Sequence, residues 1–306
     1  MKKSRSLLAG LLIIPAFAVA QRQYEDSSYM PPAFESRYET GKGTVIYLDE
    51  AHHNFHTRTG RYAPFARVLE QDGFRVRSNT GAFTMENLKD MKILVIANAL
   101  PVTSVERWEA PTQSAFTEDE ILVVKKWVKK GGRLLLLADH MPMGGAARDL
   151  AAAFGFTFYD SFADDTTTSS STELFTKSDR SLADNIITRG SASMFEVDSV
   201  TSFTGQAFRI PEGAHSILHC GDGWIVRLPK IAWQFDEETE ILDASGWSQA
   251  ACLEFGKGKV VVFGEAAMFS AQIAEIEEYT IKAGMNNDKG KNNYRLLLNV
   301  ARWLDE

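Results

Sequence analysis

Residues 49–56 read DEAHHNFH and place two acids and three histidines directly after the apolar run TVIYL. Carboxylates and imidazoles transfer protons near neutral pH, hold cations and hydrogen-bond ligand hydroxyls. Three later apolar runs also end in polar residues: RLLLLADH in Asp139 and His140, KVVVFGE in Glu265, and MKILVIAN in Asn98. In an open parallel sheet the loops beyond the carboxyl ends of the strands converge, and ligands collect there. The candidate cleft is therefore Asp49, Glu50, His52, His53, Asn54, Asp139, His140 and Glu265.

Each candidate also has a plainer reading. Asp49 and Asp139 could serve acid–base chemistry or cap the helices that follow them. Glu265 precedes the small segment AAMF, so charge complementarity at a helix start would explain it equally well. The spacing of His52, His53 and His56 lets two of them face one point, and His52 is the expected functional histidine. HHNFH lacks the glutamate and helical setting of the zinc-protease motif, so a hydrogen-bonding or acid–base role is favoured over a dedicated metal site. His140 adjoins Asp139, yet neighbours on an extended segment point to opposite sides, so both reach a cleft only where the strand has turned. His215 and His219 lie outside these strand ends and read as structural. Trp108, Trp224, Trp233 and Trp247 could stack on a sugar ring or fill core and rim. Arg61 could hold a polar ligand or pair with surface acids.

The elements that position these residues follow from periodicity. GTVIYLDE reads as a strand, and TGRYAPFARVLEQDGF as a helix closed by Gly73. MKILVIANAL and RLLLLADH read as buried strands. Between them lies TEDEILVVKKWVKKGG, which opens on the capping-box pattern of Thr117 and Glu120. GGAARDLAAAFG reads as a helix, AACLEFGKGKVVVFGEAAMF as two strands joined by a turn, and NNYRLLLNVARWL as a closing helix capped by Asn292 or Asn293. Alternating strands and helices imply a parallel sheet covered on both faces.

Residues 21–43 read as an extended polar arm adding little core, and 44–306 as a single α/β domain. Within it, about 157–215 is a polar excursion around DDTTTSSSTE, with one helix-like piece at RSLADNIIT. Residues 1–20 combine Lys2, Lys3 and Arg5, an apolar run and an Ala-x-Ala ending, the order of a signal peptide cleaved before Gln21. The expected location is periplasmic or secreted, with no stable membrane span after cleavage. Removing that segment takes three positive charges and lowers the formal charge from −7 to −10, which argues against a nucleic-acid partner. Cys220 and Cys252 fall in the exported part, where a disulfide is permitted and two buried thiols are the alternative.

YLDEAHHNFH, GGRLLLLADHMPMGG, FGKGKVVVFGEAAMF and NNYRLLLNVARWL together resemble the class I glutamine amidotransferase-like superfamily, in its exported branch of domains of unknown function near the trehalose-utilisation-like and gliding-motility-associated domains. The likeness spans most of 44–155 and 249–304, with DNIITRG and FTGQAF matching only loosely. It implies a three-layer α/β sandwich with a mainly parallel sheet, amidotransferase-like or flavodoxin-like. It also implies a nucleophilic Cys on the turn after the central strand, where this chain reads HMPMGG. Glutaminase chemistry is accordingly not expected, and two functions are. One is a domain that keeps the cleft to bind a polar small molecule or glycan, or to serve an envelope protein partner. The alternative is an extracytoplasmic hydrolase using an Asp/His/Glu site, with or without a metal.

Overall fold

The computed structural model describes residues 22–168, 170, 172–276 and 279–306; the segment read as a signal peptide, 1–20, lies outside the described residues. In chain order the first half contains β1 (Arg22–Glu25), β2 (Val45–Asp49), α1 (Ala63–Gln71), β3 (Arg75–Asn79), α2 (Met85–Leu88), β4 (Ile93–Ala97), α3 (Glu118–Lys129), β5 (Arg133–Leu137) and α4 (Met143–Ala152). The second half contains β6 (Phe162–Asp165), β7 (Glu173–Thr176), β8 (Ser199–Ser202), β9 (His215–His219), β10 (Trp224–Leu228), β11 (Glu240–Asp243), β12 (Ser248–Phe255), β13 (Gly258–Phe263), β14 (Ala271–Ile276), β15 (Tyr279–Gly284) and α5 (Asn293–Asp305). This is a mixed α/β chain in which strands outnumber helices.

Seven strands form the main sheet in the order β3-β2-β4-β5-β13-β12-β9. The first five run parallel, and β12 and β9 close the other edge antiparallel. Every residue of β4 is buried, and its side chains alternate between two cores. Ile93, Val95 and Ala97 join α1 and α5 through Phe65, Leu69, Leu297 and Val300. Leu94 and Ile96 join α3 and α4 through Val124, Trp127 and Leu150. A strand apolar on both faces needs cover on both, which explains its unbroken ILVIA sequence.

The sequence reading differs from the structure in three places. The arm at 21–43 is not merely an extended lead: β1 pairs antiparallel with β14, and Tyr29, Phe34 and Tyr38 pack against the main core. RSLADNIIT is not helical, because Asn185 Oδ1 accepts the N–H groups of Ile187 and Thr188 and holds the backbone in turns. Neither terminal asparagine caps α5: Asn292 makes no capping bond, and the Asn293 amide instead ties Thr201 and Met268 together.

Candidate functional site

The site forms where β4, β5 and β13 end side by side. Just past β4, Asn98 takes a left-handed φ of 49°, a conformation asparagine tolerates better than most residues. Its Oδ1 accepts the Asp139 backbone N–H at 2.9 Å, and its Nδ2 donates to His56 Nδ1 at 3.0 Å. His56 is 2% exposed, and its Nε2 has no hydrogen-bond partner among the described residues. Burial, with a smaller contribution from the Arg61 charge, pushes its pKa down to about 3, so the ring is neutral.

Asp139, beyond β5, accepts the His140 N–H at 2.8 Å through Oδ1 and a long 3.4 Å contact from Ala266 N–H through Oδ2. Glu265, beyond β13, is 1% exposed and takes the N–H groups of Ala267 and Met268, one on each oxygen at 2.7 Å. Glu265 thus meets the first N–H groups of a single 3₁₀ turn by hydrogen bonds. Burial, and then the Asp139 carboxylate, raise its pKa well above the ordinary glutamate value, against those two N–H donors. FTGQAF packs against the chain at Gly264 and Glu265. A Cβ at Gly205 would lie 2.4 Å from the Gly264 carbonyl oxygen, so only glycine permits the approach, and Gln206 Nε2 donates to the Ala138 carbonyl at 2.9 Å.

These residues share a cavity of about 460 Å³ lined by His56, Asn98, Asp139, His140 and Glu265. Phe55, Trp108 and Trp233 supply aromatic wall, and Gln272, Lys282 and Lys289 approach from the β14–β15 side. His140 Nδ1 lies 2.6 Å from the Met141 carbonyl oxygen and must donate to it, which leaves Nε2 as the acceptor of the neutral ring. The ring stacks on Phe162 at 4.5 Å and meets Trp233 edge-on at 4.7 Å.

The first stretch of candidates lies elsewhere. Asp49, Glu50, His52, His53 and Asn54 do not line the cavity. His52 is enclosed between the Phe83 and Phe116 rings, with Nδ1 2.8 Å from Asp49 Oδ2 and Nε2 3.0 Å from Glu120 Oε1. Glu50 accepts the Arg58 N–H, Asn54 accepts the His52 N–H, and His53 is exposed at a positive φ of 46°. Of the three histidines in DEAHHNFH, the one at the cavity is His56. The sequence signal was the triplet spacing, which named His56 without selecting it. Glu120 was read only as the capping-box acid; it fills that role and also holds His52.

Burial opposes the charge on His52, but the Asp49 and Glu120 carboxylates outweigh it and raise its pKa. A raised folded-state pKa gives stability that is fully present below the unfolded value of about 6.5 and is lost as pH rises through the folded value. His52→Gln should therefore cost about 1–3 kcal/mol near pH 6, with a gap to the parent that narrows towards pH 8. Urea unfolding across that range checks it, and a gap independent of pH would contradict it.

Cys220 and Cys252 are free and buried, away from the cavity. Burial raises both thiols, Cys252 to about 12. The turn after β5 carries Asp139, His140 and Met141, with neither Cys nor Ser. Among the described residues no three His, Cys, Asp or Glu side chains are grouped to hold a metal ion.

No family model matches the chain, and no curated protein does. Among solved structures, the mmIFT52 N-terminal domain is 17% identical, with 85% of this chain and 97% of that one covered and a TM-score of 0.55. The chain shares that domain's fold. A ThuA-like protein from Bacteroides uniformis is 12% identical over 89% of this chain and 94% of that one, with a TM-score of 0.44. A cytoplasmic protein from Salmonella typhimurium LT2 is also 12% identical, over 86% and 97%, with a TM-score of 0.44. At such identities the likeness concerns architecture, and any function has to be argued from the cavity.

Proposed function

We propose that this chain is an exported, amidotransferase-like domain that binds a polyhydroxyl ligand of the glycan class in the cavity at the ends of β4, β5 and β13. The observation that carries this reading is the pairing, in one cavity, of the Trp108 and Trp233 indoles with the buried His56, Asp139 and Glu265 polar groups. A sugar ring offers C–H faces that pack on indoles and hydroxyls that both donate and accept, so it matches apolar walls carrying a few fixed polar groups. Saturation-transfer NMR with a panel of oligosaccharides tests it. Signals from a defined subset should saturate and fade in Trp108→Ala and Trp233→Ala; a panel silent throughout would remove the reading.

One observation favours hydrolysis as a second reading. Glu265 is held protonated to higher pH than usual beside Asp139, and a carboxyl pair of that kind suits an acid with a partner carboxylate. Cleavage of a bound glycan, lost in Glu265→Gln, would establish it; binding without turnover supports the binding domain.

Export belongs to the same proposal. It rests on the basic, apolar and Ala-x-Ala order of residues 1–20, and no described helix is long and apolar enough to cross a membrane. Mass spectrometry of an extracytoplasmic fraction should find Gln21 as the first residue. An intact Met1 in the cytoplasmic fraction would contradict export while leaving the cavity argument untouched.

A further inference from the structure

We propose that the glycan bound in this cavity is anionic, and that Lys282 and Lys289 on its β14–β15 side take the ligand's acid group while hydroxyls meet the Asp139 end. This deepens the glycan reading and rests on it.

The charge of the cavity is divided between its walls. Asp139 and Glu265 lie beyond β5 and β13, whereas Lys282 and Lys289 line the cavity from β15 and the turn that follows it. Burial and the Asp139 charge raise the Glu265 pKa, so near neutral pH the acid wall carries less than its two formal charges. The two ammoniums then outweigh the carboxylates, in a chain whose formal charge is −7. A protein that acidic repels anions in general and admits one only where positive charge is locally in excess.

One side chain sets the lysine pair. Asn287, which also lines the cavity, donates from Nδ2 to the Lys282 carbonyl at 2.7 Å and accepts the Lys289 N–H on Oδ1 at 2.9 Å. Thr201 Oγ1 holds the Lys289 carbonyl in turn, at 2.9 Å. A Cβ at Gly290 would collide with the Gly284 carbonyl oxygen, so glycine there lets the turn close on itself. The two lysine backbones are thus fixed to one another at one edge of the cavity, which lowers the ordering cost of using both at once.

Among the described residues neither ammonium has a carboxylate partner: the lysine ion pairs belong to Lys89, Lys92, Lys177 and Lys230. Lys289 Nζ has one marginal contact, 3.5 Å to Ser170 Oγ. Lys282 acts on Asp26 only from beyond ion-pair distance, and Ser28 and Asn286 already hydrogen-bond that carboxylate. Both lysines are exposed, so a ligand reaches them without displacing a partner. A neutral sugar would leave both ammoniums to water, and a small free anion would leave the indoles and Asp139 unused. A glycan bearing an acid group engages both ends. Lysine is a point charge without the guanidinium fork, so carboxylate and sulfate suit it alike.

Titration calorimetry with trigalacturonate and its methyl ester tests this, because the ester keeps the ring hydroxyls and removes the charge. The acid should bind about five- to tenfold more tightly, the scale of two exposed ion pairs, and the preference should shrink as salt rises from about 0.05 M to about 0.5 M. It should fall to near one in Lys282→Gln with Lys289→Gln. It should persist in Lys129→Gln with Lys130→Gln, which removes the same charge at the end of α3. All four lysines are exposed, so both variants should fold. Sulfated cellotriose beside cellotriose reads the other acid group, and a lysine-dependent gain in either pair supports the inference. Equal binding of charged and uncharged forms in both pairs, or a gain that survives in the Lys282 and Lys289 variant, overturns it while the glycan cavity stands. If the oligosaccharide panel yields only uncharged ligands, this inference alone fails; if the panel and all four probes are silent, both fail.

Discussion

Asp139→Asn should make the protein more stable at neutral pH while weakening its ligand about tenfold or more. The gain comes from Glu265. Burial and the Asp139 charge raise its pKa, so between its unfolded value of about 4.3 and its folded value the native state holds more protons than the unfolded chain. Stability therefore falls as pH rises through that window. Replacing Asp139 removes the like charge but keeps an acceptor for the His140 N–H, at the expense of the long contact to Ala266. A gain in stability at pH 7 is expected, together with a shallower decline as the pH rises above the ordinary glutamate value. The loss comes from the ligand, because a hydrogen bond to a charged group contributes about 1.5–3 kcal/mol, and each 1.4 kcal/mol is about tenfold in affinity. Calorimetry across that pH range reads the first effect. A lowered Tm at pH 7 would show that Asp139 is there for the fold.

The largest loss of stability is expected from Asp72→Ala. Asp72 is 0% exposed and closes α1; Arg302 of α5 grips it with two bonds, Nε to Oδ2 at 2.9 Å and Nη2 to Oδ1 at 2.5 Å. The same guanidinium donates to the Ser193 and Glu35 carbonyls, so one buried ion pair joins α1, α5, the middle segment and the amino-terminal arm. Removing the carboxylate leaves a charge 5% exposed without its counterion, which typically costs about 3–5 kcal/mol. That is a large share of the roughly 5–15 kcal/mol that holds a folded domain. Replacing both partners, Asp72→Leu with Arg302→Met, should recover most of the loss, since no lone charge remains. A urea midpoint for Asp72→Ala close to that of the parent would contradict this account.

The central strands were legible because each is a short apolar run beside a helix-like run: TVIYL, ILVIA, RLLLL and VVVF all sit where periodicity puts them. Their polar ends, Asn98, Asp139 and Glu265, were legible for the same reason. DEAHHNFH was harder, since the chain turns after β2, beside the edge strand β3, and successive side chains then face different surroundings. His52 points towards α3, because Glu120 offers it a second carboxylate, whereas His56 reaches the cavity through Asn98. Neither partner is close in sequence. The β1–β14–β15 sheet was missed because β1 is four residues with no apolar alternation, and its pairing partner lies some 250 positions later. The aromatic wall was ambiguous for another reason: indoles fill cores and stack on ligands alike, and only the position of Trp108 and Trp233 beside His140 distinguishes them.

The account turns on whether this cavity takes a glycan through its buried acid. A glycan array probed with residues 21–306 and, in parallel, with folded Asp139→Asn tests that directly. The account predicts that the parent retains a defined set of glycans and that the variant, although at least as stable at pH 7, loses them. An array on which the parent binds nothing, or on which the variant binds the same set equally well, would contradict it.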